Sequence, residues 1–194
     1  MIRILLDSSN TAMAVGIIDD DRIIASTSYE AWQRQSEVMI PELNKLLDEN
    51  HFTYKDIKDV IVAIGPGSYT GVRIAITIAK TISACIGCPI YPVSSLQVLK
   101  DNDKPSICLI NARSKRSYIG VYHNNQCLLE DQIMNNDEVN EYIKFHPDYS
   151  ICGNIEYLGL SGVQSDVIEQ MFSLRKELKS IDNPLGLKPV YLKD

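Results

Sequence analysis

The nonapeptide GPGSYTGVR, residues 65–73, is the stretch of this sequence whose composition best suits phosphate binding. It follows the apolar run DVIVAI and precedes a long apolar segment, which places it between a strand and a helix. Backbone N–H groups at a helix N-terminus can hold a phosphate when glycines leave the approach open. The alternative is a sharp strand-to-helix turn that needs its glycines without any ligand.

The glycine spacing in this loop matches neither common nucleotide fingerprint. A Walker loop ends in Gly-Lys-Ser/Thr, and this loop contains no lysine. The dinucleotide fingerprint is G-x-G-x-x-G, whereas three residues separate the last two glycines here. We therefore expect a mainly architectural loop, with Thr70 as the cap of the following helix and Arg73 reaching carbonyl groups or a partner. The residues assigned to it are Gly65, Pro66, Gly67, Ser68, Thr70, Gly71 and Arg73.

The cysteines and histidines do not form a recognisable site. Cys85 and Cys88 form a C-x-x-C pair, which could serve redox chemistry or zinc binding. A redox pair opens a helix, because the helix N-terminus lowers the thiol pKa. This pair lies where a helix ends, with Gly87 as its expected C′ residue. His51 and His146 are expected at capping or surface positions, and we expect neither a metal nor a cofactor.

Length and charge limit the classes of function. A chain of 194 residues with 45% hydrophobic and 23% charged residues suits one or two compact domains. Its net charge of −6 means that a nucleic-acid-binding surface would have to be local. No signal-peptide pattern is visible, and no apolar run reaches the roughly 20 residues of a membrane helix. We expect a cytoplasmic protein without a membrane segment.

The apolar patterns predict one order of elements twice. Each half begins with a buried strand that ends in Asp or Asn, continues with a polar loop and a hairpin, and then alternates helices and strands. The predicted helices are SEVMIPELNKLLDEN with Ser36 as cap, TGVRIAITIAKTISACIG, one beginning at SSLQVLKDN, NDEVNEYIKFH and SDVIEQMFSLRKEL. A turn at Asn124–Asn125 joins two strands of the second half.

This internal repeat predicts an α/β protein with a duplicated ribonuclease-H-like fold, as in the actin, Hsp70 and sugar-kinase superfamily. The predicted domains are residues 1–104 and a smaller, truncated second copy at 105–194. Nucleotide chemistry in that superfamily uses Asp- and Gly-rich hairpins in both halves. Here Asp7 is followed by SSN without a glycine, and Asn111 stands where a carboxylate is expected. An amide carries no charge for Mg²⁺, so ATP hydrolysis by this chain alone is not expected.

One family resemblance covers nearly the whole chain. GPGSYTGVRIAITIAKTIS closely resembles the GPGSFTGLR signature of the TsaB (YeaZ) family, and LLDSSN, QSEVMIPELNKLL, PVSSLQVL, NARSKRSYIGVY and PVYLKD agree with it. The resemblance implies a role in the bacterial machinery that makes threonylcarbamoyladenosine at position 37 of tRNA. It also implies a non-catalytic partner of the paralogue TsaD, which binds the metal and performs the transfer, together with the ATPase TsaE.

Departures from the family pattern move the chain further from catalysis. The catalytic paralogue carries a His-x-x-x-His metal pair, and the corresponding positions here are Gln35 and Met39. Neither side chain suits a hard or borderline metal. The alternatives are a glycoprotease-like peptidase and a small ASKHA-type kinase of the sugar- or acetate-kinase kind. The first needs a metal pair or a nucleophile–base pair and the second needs two phosphate hairpins, and neither pattern is present.

The helix after the glycine loop carries two apolar stripes, whereas a surface helix of a lone domain needs one. The preceding helix also has apolar residues to spare, so the two helices are predicted to pair with a similar pair on another subunit. The family resemblance implies the same helices, with TsaD or a second copy of the chain as partner and tRNA reached only through the complex. A fully internal helix is the alternative. The predicted contact residues are Met39, Leu43, Leu47, Ile74, Ile78 and Ile82.

Overall fold

The computed structural model describes residues 1–31, 33–124 and 126–192, which form two β-sheets and four α-helices. The predicted turn at Asn124–Asn125 and the end of PVYLKD lie partly outside these residues. The elements of the first half are β1 (Ile2–Asp7), β2 (Ala12–Ile18), β3 (Ile23–Glu30), α1 (Gln35–Glu49), β4 (Ile57–Ala63), α2 (Tyr69–Ile86) and β5 (Ile90–Val93). Those of the second half are β6 (Ser106–Arg113), β7 (Arg116–His123), β8 (Gln126–Asn135), α3 (Asn136–Phe145), β9 (Ser150–Cys152) and α4 (Val167–Leu174).

The two sheets repeat one topology. The first has the strand order β3-β2-β1-β4-β5 and the second has β8-β7-β6-β9. In each, the first strand runs antiparallel to the second and parallel to the fourth. The predicted duplicated ribonuclease-H-like α/β fold is therefore confirmed. In the described part of the chain the second sheet has no counterpart of β5.

The first sheet is covered by helices on both faces. Side chains alternate between the two faces along a strand, so Ile4 and Leu6 pack in the core with α1 and α2, whereas Leu5 packs with α4. Gly16 lets α4 approach β2, since a Cβ there would lie 2.9 Å from the Ile168 side chain. The helices α1 and α2 thus share one face of the sheet, and their outer sides are turned away from it.

The end of the chain returns to the first sheet. After α4, the backbone N–H of Ile181 donates to the carbonyl of Ile90 at 3.1 Å, and that of Val190 donates to the carbonyl of Ile64 at 2.8 Å. The apolar side of α4 finds its cover on this sheet rather than on the second one. The predicted second domain, residues 105–194, therefore includes a final segment that packs on the first sheet.

Two predicted helix details are wrong. The segment after β5 forms only a 3-10 turn at Gln97–Leu99. Lys100 already has extended backbone angles there, since the chain must turn back towards β6. The helix α1 begins at Gln35 with Arg34 in the N-cap position, and among the described residues no side chain caps it, so Ser36 is not the cap.

The helix α2 is long and apolar enough to cross a membrane by length and composition, and among the described residues it is the one helix that is. However, 44% of it is buried within the chain. Its buried residues include Val72, Ala75 and Ala79, which belong to the first core. Packing in the core of the first half thus accounts for part of the apolar character of α2.

Candidate partner-binding site

The glycine loop between β4 and α2 is tied to the loop that follows β1. The backbone N–H of Ser68 donates to the carbonyl of Ser9 at 2.7 Å. In return, the Ser8 hydroxyl donates to the carbonyl of Gly71, also at 2.7 Å, and this bond is buried. These two bonds fix the start of α2 against the end of β1.

Close packing explains two of the loop glycines. A Cβ at Gly67 would overlap the carbonyl oxygen of Ser9, and one at Gly71 would overlap that of Ser8. Neither glycine has a φ in the left-handed region, whereas Gly65 has φ +105°. Only Gly65 therefore needs its glycine for backbone conformation, and the other two need it for space.

The cap of α2 is Ser68 rather than Thr70. The Ser68 hydroxyl accepts a hydrogen bond from the backbone N–H of Gly71 at 3.3 Å, and the Ser68 carbonyl accepts one from Val72 at 2.9 Å. The backbone N–H groups of Ser68, Gly71 and Val72, which could otherwise hold a phosphate, therefore all donate hydrogen bonds within the chain. This supports the architectural interpretation of the loop. The shorter Ser68 side chain stands one residue before α2, where an N-cap belongs.

Among the described residues Arg73 contacts a tyrosine rather than a backbone carbonyl, and its contact with a partner stays a prediction. Its guanidinium lies over the Tyr69 ring, 4.9 Å from the centroid, and donates to the Tyr69 hydroxyl. The Tyr69 ring in turn stacks on Tyr191 from the C-terminal segment, with 5.2 Å between centroids. Tyr69 is 60% exposed and Tyr191 is 45% exposed. The start of α2 therefore presents two rings and one cation to solvent.

The positions that correspond to the metal pair of the catalytic paralogue serve the structure of this chain. Gln35 is buried, and its amide donates to the carbonyls of Asn10 and Thr11 at 3.3 and 3.4 Å. Met39, one turn later on the same side of α1, is fully buried in the first core. Within the described residues there is no group of three or more His, Cys, Asp or Glu side chains placed to hold a metal ion.

The hairpin loops that would grip phosphates differ between the halves. Asp7, at the end of β1, is buried, and its carboxylate accepts a hydrogen bond from the backbone N–H of Ser9 at 2.7 Å. Burial raises the pKa of this carboxyl. Asn111, its counterpart on β6, is exposed and accepts from the backbone N–H of Arg113 at 2.8 Å. Each side chain thus holds its own loop.

An open groove of about 390 Å³ lies between α1 and α2. It is lined by Ser36, Ile40, Tyr69, Thr70, Arg73, Ile74, Thr77 and Ile78. Ile40 is 45% exposed and, with Ile74, forms uncovered apolar lining of this groove. An apolar groove with aromatic and arginine side chains at its rim has the composition of a protein–protein interface core.

The structure corrects most of the predicted contact residues. Four of them are buried inside the first core, namely Met39, Leu43, Leu47 and Ile82. They lie on the sides of α1 and α2 that face the sheet, so they cannot offer a surface to another chain in this conformation. Ile74 and Ile78 line the groove, although Ile78 is largely buried and Ile74 is half-buried.

Sequence reasoning missed Ile40 and Tyr69 as groove residues. The signal for Ile40 is present in the sequence, because it is a large aliphatic residue outside the stripe formed by Met39 and Leu43. The signal for Tyr69 is an aromatic residue directly after the capping serine. Tyr191 carries no comparable signal, because its neighbourhood depends on the return of the chain to the first sheet.

Comparisons with known proteins agree on one family. The family model described as "TsaD: tRNA N6-adenosine threonylcarbamoyltransferase" matches residues 28–176. The tRNA threonylcarbamoyladenosine biosynthesis protein TsaB of Bacillus subtilis is 34% identical over 137 residues, which cover 69% of this chain and 60% of that protein. The TsaB protein of Buchnera aphidicola subsp. Schizaphis graminum is 32% identical over 114 residues, covering 56% and 54%. The matched part thus spans between half and two thirds of these relatives.

A solved structure, "YeaZ from Pseudomonas aeruginosa", superposes over 98% of this chain and 99% of that one. The TM-score is 0.77 at 22% sequence identity. At this identity the likeness concerns the fold, and it covers both sheets rather than the first alone.

Proposed function

This chain belongs to the TsaB (YeaZ) family, and we propose that it is a non-catalytic subunit that supports a TsaD-type threonylcarbamoyltransferase. The product of that complex would be N6-threonylcarbamoyladenosine at position 37 of tRNA. The observation that carries the proposal is the use of Gln35 and Met39. At the positions that correspond to the paralogue's metal ligands, one side chain closes a loop and the other fills the core.

The contacts of these two residues argue against a metal site at this position. The Gln35 amide N–H group donates to two backbone carbonyls, which leaves only a neutral amide oxygen where an imidazole nitrogen would be needed. A metal at Met39 would require a thioether, which is a soft ligand, to leave the core for a hard or borderline ion. The chain therefore uses this part of α1 for stability and leaves the chemistry to its partner.

The α1/α2 groove is the surface that we assign to the partner. Its apolar part is formed by Ile40 and Ile74, and Arg73 and Tyr69 stand at its rim. Aromatic and arginine side chains are the residues that most often dominate interface affinity. A paralogue with the same fold has an equivalent helix pair, so helix-to-helix packing across a pseudo-symmetric interface is the mode that we expect.

The remaining partners follow from this assignment. TsaD takes the groove in the complex, a second copy of this chain takes it when TsaD is absent, and the ATPase TsaE joins the assembly. The net charge of −6 supports a chain that meets tRNA through the complex rather than by itself. The compartment that we propose is the cytoplasm, where tRNA is modified.

An omission assay tests the function. The chain, TsaD and TsaE from one organism are purified separately and mixed with tRNA, ATP and the threonylcarbamoyl donor. We expect modified adenosine only when this chain and TsaD are both present, and none from this chain alone. Turnover of ATP or of a peptide by the isolated chain, abolished by Asp7→Asn or Arg73→Ala, would contradict the proposal and favour a kinase or a peptidase.

A further inference from the structure

We propose that a second groove, between β8 and α3, binds an extended basic segment of a protein partner, which adds a strand to the second sheet. This site lies in the half of the chain to which the proposed function assigns no contact. Three independent features carry the inference. They are the open edge of β8, the groove beside it and the sign of the charges that line that groove.

Among the described residues, β8 is the longest edge strand. It has ten residues, ends the second sheet, and in the described part of the chain it pairs with β7 alone. The other edges, β3, β5 and β9, have eight, four and three residues, and β5 contains Pro92. Proteins guard exposed edges with short strands, prolines, lysines, bulges or inward-pointing charges. The strand β8 has two register shifts against β7 and an inward-pointing Asp131, but it is long and contains neither proline nor lysine.

A groove of about 480 Å³ runs between the second half of β8 and one side of α3. Ile133 and Met134 line it from the strand, and Tyr142 and Phe145 line it from the helix. Phe145 is 81% exposed, so an apolar side chain of a ligand would find an uncovered ring there. An edge strand with a helix beside it is the arrangement in which extended peptides add to a sheet, through backbone hydrogen bonds and alternate side-chain pockets.

The charges in the groove select the occupant. Both charged residues that line it are acidic, Glu138 and Glu141. The Glu138 carboxylate is held in place, because it accepts a hydrogen bond from the backbone N–H of Asn135 at 3.0 Å. Lys144 lies in the last turn of α3 but does not line the groove. A ligand with lysine or arginine beside an apolar residue complements this surface.

The same charges argue against a second copy of this chain as the occupant. Two copies paired through β8 would bring their acidic grooves together, and like charges placed opposite each other are destabilising. On β8 itself, Asp131 is turned inwards and bonded to Ser94 and Tyr122, whereas Glu130 is exposed. The exposed charge on the strand is therefore negative as well.

A peptide titration tests the site on the isolated, isotopically labelled chain. The probe is a short peptide in which lysines alternate with valine and phenylalanine. One control peptide has glutamate in place of lysine, and another has alternate amides N-methylated. We expect the basic peptide to shift the NMR signals of β8 and α3 only. We expect both control peptides to bind at least about tenfold more weakly, the first through charge and the second through lost backbone bonds.

Matched variants decide whether the groove is responsible. Glu141→Lys should weaken binding of the basic peptide by about tenfold, whereas Glu49→Lys, an exposed helical glutamate on α1, should not change it. Phe145→Ser should also weaken binding while the fold is preserved, because the ring is exposed. Equal binding of the acidic or N-methylated peptide, signals that shift elsewhere, no binding of the basic peptide, or an unchanged affinity for Glu141→Lys would overturn the proposal. The experiment contains no TsaD, so its failure leaves the proposed function unaffected.

Discussion

The two halves of the chain share a strand order but distribute their helices unequally. The first sheet has α1 and α2 on one face and α4 on the other. The second sheet has α3 on one face, and its other face meets Leu96 and Leu99 from the segment after β5. The first half therefore has a groove between two helices, whereas the second half has a groove between a helix and an edge strand. The same repeated unit thus yields two different kinds of surface.

The loops that follow the first strand of each half differ in the same way. The loop after β1 is held by the glycine loop through Ser8 and Ser9. The loop after β6 has no helix of this kind to pack on in the described residues, and its two residues, Ser114 and Lys115, have positive φ, as does Arg113 at the end of the strand. The glycine loop packs so closely on the loop after β1 that an added Cβ would overlap backbone atoms. The loop after β6 has no such contact in the described residues. The comparison predicts where substitutions are costly.

The largest expected effect is the difference in free energy of unfolding between substitutions on the buried and on the exposed side of α1. Leu43→Ala should lower the free energy of unfolding by about 2–5 kcal/mol, because it leaves a cavity in the first core. Ile40→Ala, three residues earlier on the exposed side, should change it by no more than about 0.5 kcal/mol. Urea denaturation of both variants measures the difference. Equal losses would mean that the groove side of α1 is also part of the core.

The second-largest effect is expected where the glycine loop packs against the loop after β1. Gly71→Ala and Gly67→Ala should each cost about 1–3 kcal/mol, because the new methyl group meets a backbone carbonyl that cannot turn aside. Gly87→Ala is the control, since its Cβ would meet nothing within 4 Å and only the left-handed backbone, φ +73°, opposes it. Its cost should be about 1 kcal/mol. Thermal melts in which Gly87→Ala is the most destabilised of the three variants would contradict the close packing of these two loops.

The smallest effect is a pH dependence of opposite sign for two carboxyls. Burial raises the pKa of Asp131 above its ordinary value of 3.8, whereas the hydrogen bond from Ser150 lowers the pKa of Asp101. Between the ordinary and the raised value, the folded chain binds more protons than the unfolded chain, so the Asp131 contribution to stability grows as the pH falls. For Asp101 the contribution is present above the ordinary pKa of 3.8 and is lost as the pH falls from there through the lowered pKa of the folded chain.

Two variants make this difference measurable. As the pH falls from neutral towards 3.8, the wild type should gain stability relative to Asp131→Asn, and as the pH falls further below 3.8 it should lose stability relative to Asp101→Asn. Urea midpoints at several pH values give both comparisons from the same set of experiments. Curves that stay parallel for Asp131→Asn would show that this carboxyl titrates as it does in the unfolded chain.

The sequence pattern suffices to predict the repeat of strands and helices, because apolar alternation and glycine or asparagine turns are local signals. It cannot tell which sheet covers an apolar helix face, and α4 therefore lies on the first sheet without any local sign of it. The contact residues illustrate the same limit. Leu43 and Ile40 are both apolar positions of α1, and only the burial of each side chain separates core from surface.

The caps illustrate a finer limit of sequence reasoning. Ser68 and Thr70 are both capping residue types near the start of α2, and the choice between them depends on the backbone of Ser68. That backbone is set by the bond from the Ser68 N–H to the β1 loop, a contact between distant parts of the chain. The start of a helix fixed by a tertiary contact cannot be read from its own residues.

The central claim is that the α1/α2 groove binds TsaD, and the affinity of a groove variant for TsaD tests it most directly. Ile40→Glu places a charge in the groove, and Val163→Glu places one on the surface outside both proposed binding sites as a control, where the valine is 43% exposed. We predict that Ile40→Glu lowers the affinity for TsaD by about a hundredfold and abolishes tRNA modification in the omission assay, with an unchanged melting temperature. The control should bind as the wild type does. Unchanged binding of TsaD by a folded Ile40→Glu variant would contradict the account.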